Sequence, residues 1–332
     1  MRVNVVTGWG VEWVFADLLE RLTRLVPDTD IVVTERPLPA ADVLHFWRPQ
    51  AAVGVIDLSR AVLTCHGFGY WAADRPIYGP EVVEAFKRAA AVIVLNSLDE
   101  QQLRRHGVPP ERIHRIPHAV GPHIFTLRPE HGPGGKLCIG RVGRPYGPPD
   151  DPVHGVECKG RATLHEIMCG LRHRAREIVW LLLGAGWEQE ERLARQIGYA
   201  VEFRQRERVG YPQGFVRAYH RMDVYLVTSR SEGGPASLPE AMACGVWPLC
   251  TPVGMCADLI CPGLNGDLCP VNAHEAAIGR LEALLEDRQR LDQQREAVRA
   301  SVLGMTWSQW AKAHRAVYQS VAPPTRGSKE AS

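Results

Sequence analysis

Short runs of β-branched and aliphatic residues alternate with amphipathic stretches along almost the whole chain, a rhythm that few folds accommodate. A strand pairs in parallel with another strand only if a long crossover, usually a helix, lies between them. The fold class predicted is therefore α/β, with parallel sheets wrapped by helices. In the first half the expected strands are 3–7, 31–34, 43–46, 61–65, 91–95 and 112–116. The first is followed by a helix in which Val14, Leu18, Leu22 and Leu25 recur at helical spacing. In the second half the strands are expected at 137–143, 179–184, 201–203, 224–228 and 247–250. At 332 residues the chain exceeds what one hydrophobic core usually serves, so two domains are expected, although length alone leaves a single large barrel open.

The segment Arg128-Pro-Glu-His-Gly-Pro-Gly-Gly-Lys136 is a Gly/Pro cluster without periodicity, and a new strand begins at Leu137. The boundary is placed there, giving Rossmann-like domains over residues 1–130 and 135–305. A helix over 306–322 and a frayed tail over 323–332 complete the expected layout. The irregular, proline-rich stretch 145–158 reads as a mobile loop. Lys+Arg at 39 against Asp+Glu at 37 is too balanced to argue for nucleic acid as a partner. The first residues read as a strand rather than a secretory signal, and no apolar run approaches the ~20 residues of a transmembrane helix. Nine cysteines without a C-x-x-C pair read as reduced thiols, so a cytoplasmic location is expected.

The most informative segment is Ser231-Glu-Gly-Gly-Pro-Ala-Ser-Leu-Pro-Glu240, which reads as a Gly-rich loop entering a helix after the strand at 224–228. Backbone amides of such a loop offer donors to anions and to sugar hydroxyls. Gly233 and Gly234 let a ligand approach the backbone without a Cβ in the way. Taken alone, Ser237-Leu-Pro-Glu240 fits a capping box, with Pro239 just inside the helix start. That role leaves one carboxylate oxygen of Glu240 available. Glu232, taken alone, is a solvated loop carboxylate.

These residues resemble a known family. Glu232, seven residues, Glu240 and then Ala241-Met-Ala-Cys-Gly245 are similar to the signature of retaining glycosyltransferases of family 4, whose fold is called GT-B. The similarity extends to Val142-Gly-Arg144, Lys159-Gly160, Leu183-Gly-Ala-Gly186, Val253-Gly254 and Pro262-Gly-Leu-Asn-Gly266. It is weaker in the first half, at Thr64-Cys-His66-Gly, Asn96-Ser97 and Ile116-Pro-His-Ala-Val120. The resemblance implies two Rossmann-like domains facing across a cleft, a nucleotide-sugar donor held on the second, and an acceptor chosen by the first. It implies catalytic roles for His66, Arg144, Lys159 and Glu232, with Arg144 and Lys159 as a metal-free cation pair for the diphosphate. Gly140-Arg141 repeats the Gly-Arg dipeptide and makes Arg141 a rival to Arg144.

By the same resemblance Glu240 holds ribose hydroxyls and Glu232 lies at the sugar. Gly8, Gly10, Gly184, Gly186, Gly233, Gly234, Pro235 and Leu238 complete the expected donor contacts. Two departures stand out: the family usually has Asn where this chain has His118, and often an aromatic where it has Gly234. No catalytic role is assigned to His118. The aromatics Trp9, Trp13, Trp47, Phe68, Tyr70 and Trp71 are acceptor-side candidates, about half of them expected in the core. The implied reaction is retaining, metal-independent transfer of a hexose-type sugar from a nucleoside diphosphate to a small-molecule or glycan acceptor, with no cofactor. A nucleotide-sugar epimerase and a non-catalytic nucleotide-sugar binding protein are the alternatives.

Overall fold

The computed structural model describes residues 1–10, 14–70, 73–76, 78–132, 134–145, 158–205 and 209–324. The chain divides into two compact units. The first comprises Met1–Gly69, Pro76–Pro117 and Trp307–Ser332, and the second Tyr70–Arg75 and His118–Thr306. Each contains a six-stranded, all-parallel sheet, as the strand–helix rhythm predicts. Most of the expected loop at 145–158, Trp13, Trp71, residues 206–208 and the tail from 325 lie outside the described residues.

In the first unit the strands are β1 (Arg2–Val6), β2 (Asp30–Thr34), β3 (Val43–Phe46), β4 (Ala61–Cys65), β7 (Ala91–Val94) and β8 (Ile113–Arg115), in the order β2-β1-β3-β4-β7-β8. Between β4 and β7 along the chain, β5 (Gly69–Tyr70) and β6 (Ala73–Pro76) form their own two-stranded sheet. Strands β3 and β4 are buried along their whole length, so apart from His45 and Thr64 they read as apolar runs rather than as an alternation. Helix α1 (Val14–Leu25) buries Leu18, Leu19 and Leu22, with Asp17 in its first turn and Arg24 in its last, matching the helix dipole. Helices α2 (Pro80–Arg88) and α3 (Ser97–Arg105) follow, and the Asn96 side chain caps α3 by accepting from the Asp99 amide at 2.8 Å.

The second unit runs β9 (Leu137–Val142), α4 (Arg161–Gly170), β10 (Ile178–Leu183), α5 (Glu188–Ile197), β11 (Ala200–Arg204), α6 (Gln213–Tyr219), β12 (Val224–Val227), α7 (Ser237–Ala243), β13 (Trp247–Cys250), α8 (Met255–Leu259) and β14 (Asp267–Leu268). Helices α9 (His274–Glu286) and α10 (Gln289–Ala300) close it. The strand order is β11-β10-β9-β12-β13-β14. The chain thus starts at β9, builds outward to β11, then returns to the other side of β9. In open sheets of this kind ligands bind beyond the carboxyl ends of the strands, where the order reverses. Strand β10, Ile-Val-Trp-Leu-Leu-Leu, is almost wholly buried, each large apolar side chain contributing ~1.5–3 kcal/mol.

The stretch 118–136 belongs to this unit because its polar side chains are tied into it. Buried Arg128 donates to Asp292 Oδ1 at 2.8 Å and to the Leu291 carbonyl at 3.2 Å. His131 bonds Asp223 through Nδ1 and the His220 carbonyl through Nε2, both at 2.7 Å. Its hydrogen bond to Asp223 raises its pKa.

Helix α11 (Trp307–Val321) belongs to the first unit, where the Arg21 guanidinium lies 4.3 Å from the Trp307 ring. Its Tyr318 hydroxyl meets His45 Nδ1 at 2.8 Å, and the other ring nitrogen meets Thr64 Oγ1 at 2.7 Å. Burial, and then the neighbouring His314 and His66, hold the His45 pKa well below its ordinary value. The unfolded chain takes up this proton near pH 6.5 while the folded chain refuses it. Stability from His45 is therefore complete above about pH 6.5 and falls as the pH drops below it, by at most ~1.4 kcal/mol per pH unit for this one proton. Urea unfolding between pH 7.5 and 5 is expected to show this loss, and a shallower one in His45→Gln. Equal slopes in the two proteins would contradict it.

Candidate functional site

The carboxyl ends of β9 and β12 carry the densest set of polar groups predicted from sequence. Strand β12 ends at Val227, and the chain then runs through Thr228, Ser229 and Arg230 into the Gly-rich loop. Four contacts tie that loop to the segment entering α4. The Arg230 amide donates to the Cys158 carbonyl at 2.8 Å, the Cys158 thiol faces the Ser231 carbonyl at 3.4 Å, and Thr228 Oγ1 donates to the Lys159 carbonyl at 2.9 Å. The fourth is an ion pair between Lys159 Nζ and Glu232 Oε1. Ser229 Oγ donates to the same carboxylate oxygen at 3.0 Å.

Lys159 keeps 28% of its side chain exposed. Burial works against its charge, but the Glu232 carboxylate outweighs that and raises its pKa. The pair presents a cation beside an acceptor-only group, the combination that a phosphate next to a sugar hydroxyl requires. Gly160 makes this approach possible. It holds the left-handed conformation at φ +63°, and a Cβ there would stand 1.8 Å from the Thr228 carbonyl oxygen.

Arg144 and Arg141 have different surroundings. Arg141 is buried, donating to the Leu226 carbonyl at 2.7 Å and to the Lys159 carbonyl at 3.4 Å, with its guanidinium 5.5 Å from the Trp187 ring. Its donors hold β12 and Lys159 in place. Arg144 is half-buried just beyond the end of β9. The turn before it is fixed by the Gly143 amide, which bonds the Leu183 carbonyl at 2.9 Å, and by the Gly143 carbonyl, which accepts from Trp187 Nε1 at 2.9 Å. Gly184 must lack a side chain there, since a Cβ would meet the Gly143 oxygen at 1.9 Å. Gly186 follows in the same turn.

Glu240 lies in the first turn of α7 and is buried. The capping box expected from Ser237 and Glu240 is not formed. Ala236 holds the N-cap position without a side-chain bond, and Ser237 is already helical. Its hydroxyl pairs with Tyr225 at 2.5 Å. Glu240 instead accepts from Tyr211 and Tyr219, each at 2.8 Å, one on each carboxylate oxygen. Burial, then the Glu240 charge, raises the Tyr219 pKa, so its hydroxyl stays a donor. An ionised carboxylate is an acceptor-only group with about four acceptor sites.

Leu238, expected among the donor contacts, is a core residue. Its side chain is fully buried in the hydrophobic cluster and its amide bonds the Pro235 carbonyl at 2.9 Å. Pro235, Gly233 and Gly234 lie in the loop itself, and Gly254 packs beneath it, where a Cβ would meet the Glu232 and Gly233 carbonyl oxygens at 2.4 and 2.5 Å. Sequence reasoning set His118 aside, and it missed Tyr211, Tyr219 and Ser229. His118 is buried near Glu232 and Gly234, and burial pushes its pKa down to about 4 against a smaller opposing pull from Glu232.

The remaining candidates stand in the first unit. His66 follows β4, half-buried, its Nε2 donating to the Trp47 carbonyl at 2.9 Å and its ring centroid 4.5 Å from that of Phe15. Gly8 and Gly10 follow β1, Gly8 at φ +78° and Gly10 with open space on its side-chain side. Trp47 and Phe68 are core residues, whereas Trp9 is 50% exposed with the Arg48 guanidinium 4.3 Å from its ring.

Residues 157–301 match the family model Glycosyl transferases group 1, a span that contains Lys159, Glu232 and Glu240. Over 217 residues the chain is 28% identical to the "Putative colanic acid biosynthesis glycosyltransferase WcaL" of Salmonella typhimurium, an alignment covering 61% of this chain and 50% of that one. The chain thus accounts for about half the length of that relative. Among solved structures, Anabaena Alr3699/HepE in complex with UDP-glucose is similar with a TM-score of 0.72 at 14% identity, over 96% of this chain and 100% of that one. Sucrose-phosphate synthase from Thermosynechococcus elongatus gives 0.71 at 15% identity, over 96% and 98%. The two parallel-sheet α/β units therefore match GT-B glycosyltransferase structures in fold. Among the described residues no helix is long and apolar enough to cross a membrane.

Gly160→Ala is expected to destabilise the protein by ~1–3 kcal/mol, because both the backbone conformation and the Thr228 carbonyl oppose a Cβ. Gly198, at φ +99° with nothing near its side-chain side, provides the control that isolates the conformational part. Urea unfolding of the two alanine variants compares them. An equal loss in both would show that the close approach to Thr228 costs nothing.

Proposed function

We propose that this chain is a glycosyltransferase that moves a hexose-type sugar from a nucleoside-diphosphate sugar to an acceptor hydroxyl, with retention at the anomeric carbon and without a metal ion. The observation that carries the reading is the Lys159–Glu232 pair at the carboxyl end of β12, with Arg144 at the end of the adjacent strand β9 and Glu240 at the start of α7. The match of residues 157–301 to the group 1 model supports it.

Breaking a sugar–diphosphate bond leaves growing negative charge on the departing phosphate. Lys159 supplies a compact ammonium and Arg144 a planar fork to receive that charge, so no metal is required of the site. Glu232 accepts from the sugar hydroxyls, and Glu240, steadied by its two tyrosines, accepts from the ribose. Retention follows if the leaving phosphate takes the acceptor's proton on the same face, a path that needs no separate strong base.

A thermal-shift screen of UDP-glucose, UDP-galactose, UDP-N-acetylglucosamine and GDP-mannose identifies the donor, because a ligand that binds the native state raises its melting temperature. One of the four is expected to raise it clearly. With that donor, Arg144→Ala and Lys159→Ala are each expected to lower kcat by ~10²–10³, the scale of losing one preorganised charge-stabilising group. Near-normal turnover in both variants would overturn the assignment, and conversion of the donor to a free stereoisomer without acceptor would mark an epimerase.

A further inference from the structure

His118 is the one buried imidazole beside the Glu232 loop that the reaction described above leaves without a task. It is 5% exposed, and its Nδ1 is sealed from water without a hydrogen-bond partner among the described residues. A buried polar atom left unpaired costs ~1–3 kcal/mol and calls for an explanation. His45, buried like His118, shows the contrast, for it uses both ring nitrogens.

The surroundings of His118 narrow what it does. A Cβ built on Gly234 would come within 3.5 Å of His118 Cδ2, so the imidazole flanks the loop. The same Cβ would meet Met255 Sδ at 2.4 Å and Cγ at 2.8 Å, so the loop has no room for a side chain of its own at this point. The imidazole therefore lies against the loop at Gly234, within reach of the Glu232 charge. At neutral pH the ring is uncharged, since burial holds its pKa near 4. A neutral imidazole carries one N–H and one bare nitrogen, and an orphaned buried N–H is rarer than an under-satisfied acceptor. The proton therefore belongs on Nε2, which is left as a hydrogen-bond donor close to an acceptor-only carboxylate.

We propose that His118 is a sugar-contact residue of the donor site, donating from Nε2 to a hydroxyl of the transferred sugar that Glu232 holds from the other side. Donor and acceptor together read a hydroxyl in one orientation, which makes this pair a determinant of which hexose is accepted. The proposal rests on the nucleotide-sugar reading given above. A neutral donor placed beside Glu232 serves the sugar rather than the diphosphate, whose charge Lys159 and Arg144 meet.

The experiment is calorimetric titration of wild type, His118→Leu and His118→Asn. The ligands are the nucleotide sugar chosen by the four-member screen and its nucleoside diphosphate alone. His118→Leu is expected to bind the nucleotide sugar about tenfold more weakly while binding the nucleoside diphosphate within about twofold of wild type, the scale of one lost hydrogen bond. His118→Asn, which restores an N–H donor, is expected to recover most of the loss. If His118→Leu weakens both ligands alike, or neither, the proposal is overturned, the first result marking a merely structural role. A wild-type protein that binds none of the four nucleotide sugars overturns the functional reading, and this proposal with it.

Discussion

The ion pair between Lys159 and Glu232 is the constraint around which the second unit's polar architecture is arranged. Two charges brought out of full solvent lose hydration, and removing one partner strands the other. The fold meets that cost by fixing both ends. Arg141 and Thr228 hold the Lys159 backbone through its carbonyl, while Ser229 adds a second donor to Glu232 and Gly254 lets the loop pack closely. The pair is held at modest exposure, so a ligand phosphate and hydroxyl can replace each partner's contact without rebuilding the backbone.

That arrangement depends in turn on the strand order. Because β9 lies between β10 and β12, the turns after β9 and β10 and the loop after β12 all emerge at one edge of the sheet. Gly143, Gly160 and Gly184 hold positive φ in these turns, and at Gly160 and Gly184 a Cβ would run into a backbone carbonyl oxygen. The candidate groups therefore sit on strand ends, and Gly184, expected from the sequence as a donor contact, also lets the backbone pack against Gly143.

Much of this was legible in the amino-acid order, for physical reasons that particular elements make plain. Strands such as β10 and β3 announce themselves because a parallel sheet covered on both faces must be apolar on both faces. Glu232, Glu240 and Lys159 stand out only through the resemblance of their motifs to a family signature; taken alone, Glu232 reads as a solvated loop carboxylate and Glu240 as part of a capping box. The capping box failed because a local pattern cannot see Tyr225, Tyr211 and Tyr219, which reach Ser237 and Glu240 through the tertiary fold. Leu238 shows a related limit, since a residue inside a binding motif can also serve the core. His118 carried a signal, its departure from the family's usual Asn, but its meaning depends on the burial and on Met255 closing the space at Gly234, neither of which is written locally.

The central claim is that one site on the second unit divides a nucleotide sugar among Lys159, Arg144, Glu232 and Glu240. A crystal structure with the bound donor tests it most directly. The account predicts diphosphate oxygens within hydrogen-bond reach of Lys159 Nζ and the Arg144 guanidinium, ribose hydroxyls on Glu240, and the sugar beside Glu232. A donor bound with its diphosphate away from both cations, or with no ribose hydroxyl on Glu240, would contradict it.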